Sequence, residues 1–67
     1  MEVTVNKQRQ DVPENATIPI LLDKIQVTQQ KGIAIAINEQ VIPKAKWAKT
    51  TLNQNDNVLL IEISQGG

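Results

Sequence analysis

Seven carboxylates, Glu2, Asp11, Glu14, Asp23, Glu39, Asp56 and Glu62, lie scattered along the chain, and neither histidine nor cysteine occurs. No acid–base pair, thiol nucleophile, thiolate zinc site or disulfide framework assembles from that set. The group whose placement invites chemistry is the last carboxylate, because two of the chain's three glycines, Gly66 and Gly67, stand at the very end. At a glycine usage of about 7% per position, chance alone produces such a terminal pair roughly 0.5% of the time, which favours a functional tail over a merely frayed one. A residue without Cβ enters a narrow cleft in extended form and leaves its terminal carbonyl open to attack. A C-terminal carboxyl with a reference pKa of about 3.3 to 3.7 is ionised at neutral pH, so it can attack phosphorus but is a poor acyl donor until something activates it.

The rest of the chain has to present that tail. Its 67 residues make one domain, and a domain this short buries only about 60% of its unfolded surface. Hydrophobic residues make up 40% with Trp47 as the single aromatic, so the core must be built from Ile, Leu, Val and Ala. Seven basic and seven acidic side chains cancel to zero net charge, which removes the basic excess of a nucleic-acid binder and gives no polybasic membrane contact. No apolar run approaches the roughly 20 residues of a membrane span, and Met1-Glu2-Val3 opens with no secretory pattern. A cytoplasmic location is the expectation.

Apolar residues at Met1, Val3 and Val5 alternate with Glu2 and Thr4 as in a half-buried strand, with a turn at Asn6-Lys7-Gln8. Arg9 to Val12 reads as a short edge strand stopped by Pro13. Ile18, Leu21, Leu22 and Ile25 form an i, i+3, i+4, i+7 stripe, so a helix is expected there, capped by Thr17, with Pro19 in its first turn. Polar Gln26 to Lys31 and then Gly32 should end it. Ile33 to Ile37 alternates large and small apolar side chains, the pattern expected of a central strand covered on both faces. After a turn at Asn38-Glu39-Gln40 come a short strand at Val41-Ile42, a helical turn from Lys44 to Thr51, a turn cluster from Asn53 to Asn57, and a nearly continuous apolar strand from Val58 to Ile63. In that last strand Val58, Leu60 and Glu62 share one face and Leu59, Ile61 and Ile63 the other; parity alone does not say which face is covered.

The order β-β-α-β-β-turn-β resembles the ubiquitin-like β-grasp fold, an α+β class with a mixed four- to five-stranded sheet packed on one main helix. Residues 1–63 would form the domain and 64–67 a disordered, flexible tail. Ala34-Ile35-Ala36-Ile37-Asn38, Ile42-Pro43-Lys44 with Trp47, Asp56-Asn57-Val58 and the closing Gly66-Gly67 are similar to the ThiS family, the bacterial sulfur carriers of thiamin thiazole synthesis. Two positions depart from the family's habit: Lys44 stands where Arg is frequent, and Asn55 where Gly commonly precedes the Asp of the last turn.

The resemblance implies a carrier rather than an enzyme, with no cofactor bound by the chain itself. A ThiF-type adenylyltransferase would use ATP to adenylate Gly67, and a cysteine desulfurase relay would supply sulfur. The resulting thiocarboxylate would pass to a ThiG-type thiazole synthase. The position of Leu59 is often polar in the family, which implies that Val58 and Leu60 face the helix. Leu59 and Ile61, with Ala34 or Ala36 beside them, then form an apolar docking strip on the open face. Gly66 would admit the tail to the partner's channel. Asp56 reads as a turn residue rather than a metal ligand, Trp47 as packing over one end of the core, and Lys44, Lys46 and Lys49 as solvated side chains. The alternatives are the small subunit of molybdopterin synthase, a conjugated ubiquitin-like modifier, or a plain β-grasp binding module.

Overall fold

In the computed structural model, which describes residues 1–29 and 31–63, five strands and two helical segments follow one another. They are β1 (Glu2–Val5), β2 (Gln8–Asp11), α1 (Ile18–Lys24), β3 (Ile33–Ile37), β4 (Gln40–Ile42), a 3₁₀ helix (Lys44–Lys49) and β5 (Asn57–Glu62). The sheet runs β2-β1-β5-β3-β4, with β1 and β5 parallel and the other neighbours antiparallel. The expected tail at 64–67 lies outside the described residues.

Both hairpins close with two residues rather than three. Asn6 and Lys7 join β1 to β2, Asn38 and Glu39 join β3 to β4, and all four have φ between 50° and 72°. Positive φ at both central positions is the type I′ geometry whose twist matches the flanking strands, and asparagine enters that region most readily of the non-glycine residues. Gln8 therefore begins β2, and the edge strand is shifted one residue from Arg9–Val12. Val12 follows the strand, still exchanging backbone bonds with Met1 at 2.8 Å, and its side chain turns inward and is buried.

The helix forms on its predicted stripe, with Ile18, Leu21 and Leu22 buried. Its expected cap does not form. Thr17 has extended backbone but makes no side-chain cap bond; Pro19 in the first turn has no N–H to offer it, and the Thr17 backbone forms a bridge with Thr51. The helix also stops earlier than Gly32. Gln26 adopts φ 65°, its N–H donates to the Asp23 carbonyl at 3.1 Å, and the Val27 N–H donates to the Leu22 carbonyl at 2.8 Å. That bond pair is a Schellman stop, with glutamine in the place glycine usually takes.

The core lies between α1 and one face of the sheet. Val3, Val5, Ile35, Ile37 and Val58 contribute from the strands and Ile18, Leu21 and Leu22 from the helix, while Val12, Ala16, Trp47 and Leu52 close the ends from connecting segments. β3 is interior, but β5 is the middle strand, and β3 is covered on one face only. Its isoleucines Ile35 and Ile37 point to the core, while Ala34 and Ala36 lie on the open face level with Leu59 and Ile61. The large–small alternation thus records one thick layer beneath the sheet, not a layer on each side.

Asp56 secures the entry to β5. It is buried; one carboxylate oxygen accepts the Asn53 N–H at 2.8 Å and the other the Asn38 side-chain amide at 3.0 Å. Asn38 in turn accepts the Asn57 N–H at 2.9 Å through its own carbonyl oxygen. Asn55, with φ 70°, holds the left-handed conformation that explains a glycine habit at this site. Asp56→Ala is expected to lower unfolding free energy by about 1–3 kcal/mol, since two donors lose their acceptor. Asp56→Asn, which sets an amide NH₂ against a donor, should recover only part, as read by urea denaturation.

Candidate functional site

Hydrogen-bond pairing with β3 decides what β5 shows to each side. Asn38 N–H donates to the Asn57 carbonyl and Ile63 N–H to the Gly32 carbonyl, at 2.8 and 2.6 Å. Antiparallel order is thereby kept as far as the last described residue. Val58 is fully buried, and Leu60 packs on the core beside it. Leu59 and Ile61 stand outward, 48% and 42% exposed. The face that parity left undecided is settled by the helix, which lies under Val58.

On the open face the register sets Ala36 between Leu59 and Val41, and Ala34 opposite Ile61. The alanines form a low floor from which Leu59, Ile61 and Val41 project, with Val41 66% exposed. The strip expected from Leu59 and Ile61 with Ala34 or Ala36 is assembled with both alanines as one apolar surface, and such a surface on a small domain is suited to a protein partner. Val41 is an addition to it. Its signal was available in the sequence: in a two-residue hairpin Val41 shares the face of Ala36, while Ile42 packs on the core.

Asn6 is a second residue that sequence reasoning passed over. β1 would continue along β5 if Asn6 did not turn away; its carboxamide takes over that role. The Leu60 N–H donates to Asn6 Oδ1 at 2.8 Å, and Asn6 Nδ2 donates to the Leu60 carbonyl at 3.2 Å. A side chain thus completes two backbone bonds and holds the strand leading to the C-terminus. Gly66 and Gly67, the expected reactive end, lie outside the described residues.

Trp47 is buried, and its indole N–H donates to the Ile42 carbonyl at 2.9 Å, which ties the 3₁₀ helix to β4. Lys44, Lys46 and Lys49 are exposed, and the Lys44 ammonium lies 6.0 Å from the Trp47 ring centre. Among the described residues no three carboxylates converge to hold a metal ion, and Asp56 is taken up by its turn.

The whole chain, residues 1–67, matches the model of the ThiS family. It is 31% identical over 67 residues to the sulfur carrier protein ThiS of Escherichia coli (strain K12), covering 100% of both chains. The crystal structure of the thiamine biosynthesis protein ThiS from Geobacter metallireducens is similar with a TM-score of 0.85 at 26% identity, covering 100% of each chain. The solution structure of a thiamine biosynthesis protein from the same organism is similar with a TM-score of 0.76 at 26% identity, over 100% of this chain and 88% of that one.

The two faces of β5 should respond differently to truncation. Leu60→Ala is expected to cost about 2 kcal/mol or more through lost packing, whereas Leu59→Ala should stay within about 0.5–1 kcal/mol. Paired denaturant midpoints measure the contrast.

Proposed function

The chain belongs to the ThiS family, and on that premise we propose that its sulfur-bearing group is the Gly67 carboxylate, presented by a β-grasp domain whose docking strip is Leu59 and Ile61. Its role is that of a sulfur carrier in thiamin biosynthesis. The observation that carries the residue assignment is the pairing of β5 with β3 up to Ile63 N–H, with an exposed apolar strip on the same strand and two glycines four and three residues further on.

In this reading a ThiF-type adenylyltransferase docks on the strip and takes the tail into its cleft. A Gly67 carboxylate oxygen attacks the α-phosphorus of ATP, and pyrophosphate leaves. The acyl carbon of the adenylate now carries a good leaving group. A terminal persulfide sulfur from a cysteine desulfurase relay attacks it and expels AMP, and a thiol reduces the S–S bond so formed, leaving the thiocarboxylate. Gly67 offers that carbon the least steric shielding, and Gly66 keeps the approach narrow. A thiazole synthase then accepts the sulfur. In this reading the chain acts as co-substrate rather than catalyst, and its step runs in the cytoplasm.

Incubation with an adenylating partner, ATP and a sulfur source should raise the intact mass by the difference between sulfur and oxygen. An unchanged mass with an authentic partner would sink the carrier assignment, and Gly67 found in amide linkage to lysines of other proteins would select a conjugated modifier instead. Leu59→Glu with Ile61→Glu should leave the domain folded, because both side chains are exposed, and weaken partner binding about tenfold or more. Undiminished binding by that folded variant would remove the docking assignment.

A further inference from the structure

The β1 side of β5 is occupied over its first half only. β1 pairs with it at Thr4 with Asn57 and Val5 with Val58, then turns away at Asn6. Because Asn57 and Ile63 bond toward β3, the alternation of an antiparallel ladder turns the N–H and C=O of Val58, Leu60 and Glu62 toward the β1 side. The Val58 carbonyl accepts the Asn6 N–H at 3.0 Å, and both Leu60 groups are held by the Asn6 carboxamide. Glu62 is next in the series. Among the described residues, neither a strand nor a side chain meets its backbone on that side.

A donor and an acceptor on one residue of an extended chain, both turned outward, are complementary to another extended peptide backbone. The neighbourhood has room for one. On the helix face an open groove of about 700 Å³ runs beside Leu60 and Glu62, bounded by Val27, Lys31 and Ile33. On the open face Ile61 is exposed. A strand laid along this edge would set alternate side chains beside Leu60 and Glu62 on the helix face and beside Ile61 on the open face.

We propose that an extended segment of the adenylating partner adds here as a short antiparallel strand, exchanging both backbone bonds with Glu62. The inference rests on the carrier reading and deepens it: the apolar strip brings the partner to the sheet, and the added strand sets the direction in which the chain after Ile63 enters the cleft. Asn6 marks where the added strand must end.

Glu62→Pro removes the N–H without breaking a bond to β3, since that N–H faces away from β3; Glu62→Ala keeps it. Titrated against the adenylating enzyme encoded by the same genome, Glu62→Pro should bind about three- to tenfold more weakly than Glu62→Ala. In the wild-type protein the Glu62 amide should exchange fast when free and slowly in the complex. Equal affinities of the two variants, or wild-type exchange at Glu62 unchanged by the enzyme, overturn the proposal. Should the proline variant lose its amide dispersion, the wild-type exchange alone decides. Failure of the carrier reading looks different, because wild-type protein would then gain no sulfur at all, whereas this proposal can fail while thiocarboxylation proceeds.

Discussion

The strand that leads to the C-terminus is also the middle strand of the sheet, and that double duty constrains everything around it. A middle strand must satisfy backbone groups on both edges, yet one side of β5 is paired along its length with β3 while the other meets β1 for only two residues. At Leu60 the shortfall is made up by a polar side chain rather than by more strand. Asn6 completes Leu60, and Asn38 with Asp56 secures the first turn into the strand. Each of these residues lies in or beside a turn, where a short polar side chain is free to imitate a backbone.

Burial divides the same strand by face. One helix gives the sheet one covered side, so Val58 and Leu60 hold β5 down while Leu59 and Ile61 are left to water. A chain of this size has little apolar surface to spare, which makes the outward strip a cost to the isolated protein. Its alanine floor, Ala34 and Ala36, keeps that side flat and lets another surface approach closely. The arrangement is coherent for a sulfur carrier: the domain contributes shape and a held strand.

β1 and α1 were legible because burial on one face leaves its mark within a few residues, as alternation or a helical stripe, while β3 and β5 were legible as apolar runs between turn residues that mark a strand without marking its buried face. The stop at Gln26 and the failed cap at Thr17 were less legible. Capping depends on which amides are free, and Pro19 had already removed one. The reading of β3 as covered twice came from taking its small residues as core, when alanine is equally suited to an open face overhung by Leu59.

By itself the sequence determined the elements, the hairpin positions, the membership of the core stripe and the unusual terminal glycines, all of them consequences of residue type and short spacing. Tertiary structure alone decided which parity of β5 is buried, that β5 rather than β3 occupies the middle, and that Asn6 reaches Leu60 and Asn38 reaches Asp56, at sequence separations of 54 and 18. Those outcomes depend on pairing energies between segments far apart in the chain, and both faces of β5 are apolar enough that nothing local distinguishes them until the helix has chosen a side.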